Sequence, residues 1–247
     1  MITDKLGDVK YAGKSSREAG LMLQSTMEWQ TPIYSSTLTQ ISGKSTAVIV
    51  SNNRYDNVSQ AFPFRTLPGA NPLQLMRAHR AVLDWLYSVT PDTYHKIEFT
   101  GIPNTYFMGI PTTVTAMTDA GDHATLSVTF SMEPFAYDND GDVYLPVSEG
   151  QNFANSYQIM SVPLIHVTGN GNGSFDLNGK TYSVVGVKDE LWLDCEDEVA
   201  YDKNNDVVPN AVQFDDYAFP TLQPGDNVFS NIKNIGLEMK PHWRQLF

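Results

Sequence analysis

The sequence predicts a mainly β protein of two domains, the first of which carries a single helix. Three observations support this. Turn-forming residues recur at short intervals: Ser51-Asn52-Asn53, Leu67-Pro68-Gly69, Gly101-Ile102-Pro103-Asn104, Ala120-Gly121-Asp122, Asn139-Asp140-Gly141, Asn178-Gly179, Lys203-Asn204-Asn205-Asp206 and Pro224-Gly225. Between them lie short runs rich in β-branched and aromatic residues. Only the stretch after Asn71-Pro72 shows helical spacing instead.

Taken in order, the clearest strand runs are 45–50, 112–118, 125–130, 181–187 and 227–239. Asn178-Gly179 sits between 174–177 and 181–185 and predicts a two-residue hairpin, because a type I′ turn needs positive φ at both central positions. The helix is expected over about 72–89. Asn71 can cap it, Pro72 suits the first helical position and Pro91 ends it. Leu75, Met76, His79, Val82, Leu83, Leu86 and Val89 recur at helical spacing, with Arg77, Arg80 and Asp84 turned elsewhere. This stripe is expected to pack on a sheet, with His79 a hydrogen-bonded core residue. Acids, Gly141, Pro146 and Gly150 with little apolar content place the domain boundary within 137–155. The domains are therefore 1–145, a β-domain with one helix, and 146–247, a β-sandwich.

A chain of 247 residues is comfortable for two domains of roughly 100–150 residues. The single Cys195 rules out an intramolecular disulfide framework and fits a protein made in a reducing cytoplasm. The N-terminus has no basic-plus-apolar leader, and no apolar run approaches the ~20 residues that span a bilayer, so no membrane insertion is expected. Sixteen basic against 28 acidic side chains give −12, of which −4 falls in 1–145 and −8 in 146–247. A nucleic-acid-binding surface would need clustered Lys and Arg, so specific nucleic-acid binding is not expected.

Several constellations resemble reactive sites. Asp138, Asp140, Asp142 and Glu149 fall at positions 1, 3, 5 and 12 of a calcium loop, but Val143 stands where the sharp turn needs glycine. A solvated interdomain loop is the better reading. Gly169-Asn170-Gly171-Asn172-Gly173 leads into a strand rather than a helix, so it is a flexible turn and not a phosphate cradle. Asp189, Glu190, Asp194, Glu196, Asp197, Glu198 and Asp202 could pair as glycosidase carboxylates. Consecutive acids at a strand end more often form a solvated, partner-binding rim. His79, His95, His123, His166 and His242 make no zinc-site spacing, there is no nucleophile elbow, and Cys195 has no local base. No catalytic, cofactor or metal residues are assigned. Trp192, Tyr201, Tyr217 and Trp243 are candidates for stacking on sugar, although Trp192 and Trp243 also fit core or interface positions.

Three motifs, the first built of three segments, carry a family resemblance. Ala218-Phe219-Pro220-Thr221-Leu222-Gln223-Pro224-Gly225-Asp226-Asn227 is stiffened by two prolines and turned at Gly225. It lies between Leu191-Trp192-Leu193-Asp194-Cys195-Glu196 and Glu238-Met239-Lys240-Pro241-His242-Trp243-Arg244. In that order these resemble the C-terminal domain of siphophage distal tail proteins. Tyr11-Ala12-Gly13-Lys14-Ser15-Ser16-Arg17-Glu18-Ala19-Gly20-Leu21 is similar to that family's opening signature. Val128-Thr129-Phe130-Ser131-Met132-Glu133-Pro134-Phe135-Ala136-Tyr137 is similar to the strand ending its ring-forming domain. Many relatives carry a cysteine just before the proline, where this chain has Met132-Glu133.

The resemblance implies a ring-forming N-terminal domain and a galectin-like C-terminal β-sandwich. It further implies a homo-hexameric ring at the phage tail tip, made in the bacterial host cytoplasm and ending in the virion. Such a ring joins the tail tube protein to the tail-associated tip protein, docks receptor-binding proteins, leaves a channel for DNA and performs no catalysis. On the same basis the stretch 13–21 is expected near an assembly surface. Two alternatives stand beside it: a carbohydrate-binding module for host cell-wall polysaccharide, and a wall-degrading enzyme.

Overall fold

In this computed structural model residues 6–25, 27–66, 72–214 and 217–247 are described. Among the described residues the protein is mainly β with one α-helix. Its chain forms two compact units, 1–136 with 246–247, and 137–245.

The first unit contains β1 (Val9–Tyr11), β2 (Lys14–Ser15), β3 (Leu21–Leu23), β4 (Tyr34–Thr39), β5 (Val48–Tyr55), β6 (Val58–Thr66), α1 (Pro72–Tyr87), β7 (His95–Phe99), β8 (Thr105–Val114), β9 (Thr118–Asp119) and β10 (Ala124–Asp138). Its main sheet runs β2-β1-β7-β8-β10-β6-β3, with β9 paired to β10. Strict alternation in β6 sends Val58, Gln60, Phe62, Phe64 and Thr66 inward, and β10 answers with Leu126, Val128, Phe130 and Met132. Buried Gln60 is satisfied: its Nε2 donates to the Glu28 and Ala61 carbonyls, and its Oε1 accepts from the Gln30 amide. Trp29 lies edge-on to Phe62, Phe99 and Phe247.

The helix is where expected, but it ends at Tyr87 and buries a different face. Val82, Trp85 and Leu86 are buried, while Met76, His79 and Leu83 are exposed, so His79 is not a core residue. The anchor is Trp85, whose Nε1 donates to the Lys14 carbonyl at 2.9 Å and whose ring meets Phe64 edge-on. The capping Asn71 and the Leu67-Pro68-Gly69 turn lie outside the described residues. β4 and β5 form a separate two-stranded ribbon. Ser51-Asn52-Asn53 belongs to β5 rather than to a turn, because its polar side chains pair across the ribbon: Ser51 with Tyr34 and Asn52 with Ser35. The expected run 112–118 is broken after Val114, and its end becomes β9.

The second unit contains β11 (Leu145–Val147), β12 (Asn152–Asn155), β13 (Leu164–Leu177), β14 (Lys180–Asp194), β15 (Val199–Tyr201), β16 (Val212–Phe214), β17 (Gly225–Lys233) and β18 (Gly236–Lys240). Sheet order is β11-β18-β13-β14-β15, with β16 on β14, and β17 pairing both β12 and β13. Its core is built from inward residues of the long β13–β14 hairpin, including Ile165, Val167, Phe175, Val184 and Leu193, with Phe229 and Met239. Asn178 and Gly179 both have positive φ, 52° and 81°, and close that hairpin with the turn that the sequence specifies.

The glycine run 169–173 is strand, not turn. It lies in β13 opposite 184–189, with a register shift between Gly171 and Gly173. The reason is crowding. A Cβ on Gly173 would stand 2.4 Å from Ile235 Cγ2 and 2.8 Å from the Lys233 carbonyl oxygen. Glycine thus lets the β17–β18 connection pass close over a bulged strand. That connection, with Asn234 at φ 61°, also divides the expected 227–239 run into two strands.

Candidate functional site

The N-terminal signature builds structure first. Tyr11 is buried edge-on against Phe130 and His95. Ala12 and Gly13 take φ of 48° and 81°, turning β1 back into β2. Ser16 is buried, its hydroxyl accepts from the Val9 amide, and its carbonyl accepts from the Leu21 amide. Gly20 also has positive φ, with open space where a Cβ would stand. Both glycines therefore serve backbone conformation. Burial, then Tyr87, pushes the Tyr11 hydroxyl up to about 12.

The surface of the same unit carries two apolar patches. The β4–β5 ribbon exposes Ile33, Leu38, Ile49 and Val50, and α1 exposes Leu73, Met76, Leu83 and Tyr87 along one side. Met76 and Leu83 belong to the stripe expected to pack on a sheet, so the spacing does not mark them as surface. The signal was available for the ribbon, because 30–53 holds one charged residue, Lys44.

In the second unit the proline-rich segment is organised by buried Asn227. Its Nδ2 lies within bonding distance of the carbonyls of Phe153, Gln223 and Gly225, and its Oδ1 accepts from the Gln223 amide and from Asn178 Nδ2. Asn178 Oδ1 in turn accepts from the Val228 amide, so the hairpin turn and the Pro-Gly turn are joined. The flanking motifs meet as well: Arg244 Nη1 lies 2.8 Å from Glu196 Oε2, and Arg244 Nε donates to the Met160 carbonyl.

Register assembles an aromatic row on the polar face of the sheet. Tyr201, Trp192, His166 and Glu238 stand opposite one another on β15, β14, β13 and β18. His166 stacks on Trp192 at 4.6 Å and Trp192 on Tyr201 at 5.9 Å, nearly parallel in both cases. Both faces of the Trp192 ring are therefore covered, and sugar stacking needs a free face. Trp192 Nε1 donates to the Tyr144 hydroxyl at 3.2 Å, while Glu190 and Glu238 flank the His166 ring nitrogens at 3.5 and 3.6 Å. His166 joins the site through strand register and Tyr144 through its contacts with Trp192 and His166, which is why sequence spacing missed them. Trp243 packs against the core. Among the four sugar candidates Tyr217 presents most surface, 89% exposed beside a shallow depression lined by Ser183, Gln213 and Phe219.

The acids disperse rather than converge. Asp194 Oδ1 accepts from the Glu196 and Asp197 amides, and Asp202 Oδ1 accepts from the Asn204 and Asp206 amides. Those two amide bonds to Asp202 hold its carboxyl below the usual carboxylate range. Of the calcium-pattern acids, Asp138 caps a short 3-10 turn, Asp142 meets Lys240 at 3.3 Å, and Glu149 accepts from the Asn231 and Ile232 amides. Among the described residues no cluster of three potential metal ligands occurs. Burial, then neighbouring Asp194 and Glu196, pushes the Cys195 thiol well up, the reverse of an activated nucleophile. No described helix is long and apolar enough to cross a membrane.

No protein family matches the chain by sequence, and neither does any curated protein. The fold is similar to that of a solved structure along nearly the whole chain. The solved structure in question is the Dit protein of phage SPP1, described as a paradigm of the hub adsorption apparatus in phages infecting Gram-positive bacteria. The TM-score is 0.73, with 16% identity over 96% of this chain and 99% of that one. At that identity the likeness is one of fold. The phage P2 baseplate in its activated conformation with Ca gives 0.46, with 10% identity over 94% of this chain and 97% of that one. At that score the second likeness carries no argument.

Proposed function

We propose that this chain is a structural virion protein of a siphophage, the distal tail protein of the tail tip. In this reading the first unit closes into a homo-hexameric ring, and the second is a galectin-like domain facing outward. The ring joins the tail tube to the tail-associated tip protein, carries receptor-binding proteins and leaves a channel for DNA. It performs no catalysis and holds no cofactor.

The observation that carries the reading is correspondence with the SPP1 Dit fold along almost the whole of both chains. Three short motifs resembling the distal tail family occur in the right order and lie at structural pivots of their units. An acidic chain suits a channel wall, since it repels the phosphates passing through. A gold-labelled antibody raised against the purified chain should decorate virions at the distal end of the tail. Label on the capsid, or none on intact virions, would refute the placement.

One observation favours sugar binding as a second reading, and it points to Tyr217 rather than Trp192. Saturable binding to cell-wall polysaccharide, lost in Tyr217→Ala with the fold retained, would establish it.

A further inference from the structure

His166 carries a polar atom with nothing to bond. Its side chain is 13% exposed, and Nε2 is closed off from solvent without a hydrogen-bond partner. A buried polar atom left unpaired costs free energy, so such an atom calls for a partner in at least one state of the protein. Its surroundings indicate which state.

Carboxylates stand at both ring nitrogens. Glu190 Oε1 lies 3.5 Å from Nε2, and Glu238 Oε2 lies 3.6 Å from Nδ1. A neutral imidazole has one N–H donor and one lone pair, so one of two ionised carboxylates, which only accept, must face the lone pair. An imidazolium has a donor for each. The parallel stack on Trp192, with ring centroids 4.6 Å apart, suits the cation as well, because an indole face attracts positive charge. Two independent features thus fit the same charge state.

The distances leave the arrangement open. Charge-assisted N–H···O bonds close to about 2.7–2.9 Å, so each carboxylate has about 0.7 Å still to travel. Glu190 and Glu238 are 40% and 51% exposed, which leaves their side chains room for that movement. The other charged and titratable neighbours are already engaged. On β14, Asp194 accepts from the Glu196 and Asp197 amides. On β18, Lys240 pairs with Asp142 and lies over the Tyr144 ring. Tyr144 stands edge-on to His166 and accepts from Trp192 Nε1, and Tyr201 lies behind Trp192. β13 adds no charge beside His166, where its same-face neighbours are Leu164 and Thr168.

Three adjacent strands meet at this ring. His166 on β13 stands opposite Glu238 on β18 and opposite Trp192 on β14, the strand that also carries Glu190. We propose that His166 is a proton-operated clasp: proton uptake draws Glu190 and Glu238 onto its two ring nitrogens and fastens β14 and β18 across β13. Both donations exist only in the protonated ring, so the strands are fastened in acid and released as the ring gives up its proton.

Hydrogen exchange of the full chain, read by mass spectrometry and corrected for the intrinsic effect of pH, tests it. Measurements at about pH 5.5 and about pH 8 bracket the ordinary histidine value near 6.5. Exchange in 164–168, 190–194 and 236–240 is compared with that in 225–229, at the other end of the sheet, which removes any change common to the whole unit. In wild type the three segments should exchange about 3- to 10-fold slower in acid on that relative scale. His166→Phe, which keeps a ring on Trp192 but has no nitrogen, should abolish the difference. So should Glu190→Gln combined with Glu238→Gln, which leaves the histidine in place. If His166→Phe does not fold, the double variant, altered only at partly exposed side chains, still decides. Equal relative exchange at the two pH values in wild type, slower exchange at the higher pH, or a difference that persists in either variant would refute the clasp.

Discussion

Arg244 and Glu196 form an ion pair of 2.8 Å in which the arginine side chain is only 6% exposed and the glutamate remains half exposed. The pair ties the C-terminal motif to the end of β14, two segments far apart in sequence. Since the guanidinium is the buried member, losing its carboxylate is the more damaging change. Glu196→Gln, which keeps an acceptor, should destabilise the second unit by about 1 kcal/mol. Glu196→Ala should cost about 2 kcal/mol, below the range for fully buried pairs because Glu196 is partly solvated. Urea midpoints followed by tryptophan fluorescence would check the order, and equal values for the two variants would contradict it.

Crowding at the bulge gives a second expectation. Gly173→Ala drives a Cβ into Ile235 and the Lys233 carbonyl and should cost about 1–3 kcal/mol. Gly171→Ala meets open space but keeps φ at 95°, so its cost, also about 1–3 kcal/mol, is conformational. Adding Ile235→Ala should relieve part of the first substitution's cost, since the Lys233 carbonyl remains, and leave the second unchanged, as a double-mutant cycle would read. Equal coupling in both cycles would contradict the steric account.

His242 sets an acid-side dependence in the second unit. Burial pushes its imidazole below the ordinary histidine value, against Asp142 and the Val162 carbonyl, which act the other way. An unfolded chain takes up this proton near pH 6.5 while the folded chain does so only at lower pH. Below that point the unfolded state binds more protons, so stability falls as pH drops towards the folded value and then levels off. His242→Asn, which tolerates the native φ of 48°, should flatten this slope in melting curves. An unchanged slope in the variant would assign it to other groups.

Tyr11 sets the opposite dependence in the first unit. Its hydroxyl is held up at about 12 by burial, so above pH 10 the unfolded chain loses a proton that the folded chain keeps. The Tyr11 contribution to stability is intact below pH 10 and is lost as pH rises towards 12. Tyr11→Phe should reduce the alkaline loss relative to wild type, and identical alkaline unfolding would contradict the assignment.

What the sequence disclosed depended on how local each determinant is. The Asn178-Gly179 turn was legible because two adjacent residues set its backbone. The helix was legible in extent but not in orientation. α1 has apolar residues on two sides, and spacing alone does not say that Trp85 faces the core while Met76 faces out. At 169–173 the glycines looked like a turn because their crowding partner, Ile235, is more than sixty residues away. The aromatic row followed the same rule: Trp192 and Tyr201 stood out by type, but His166 joined them through strand register and Tyr144 through a tertiary hydrogen bond from Trp192.

Light scattering on the purified chain, followed by electron microscopy of the same fraction, tests the tail-hub reading most directly. Six chains of 27.5 kDa give a ring of about 165 kDa, or twice that if two rings stack back to back. The account predicts one of those masses and six-fold rings in the images. A monomer of 27.5 kDa across the whole accessible concentration range would contradict it and turn attention to Tyr217 and cell-wall sugars.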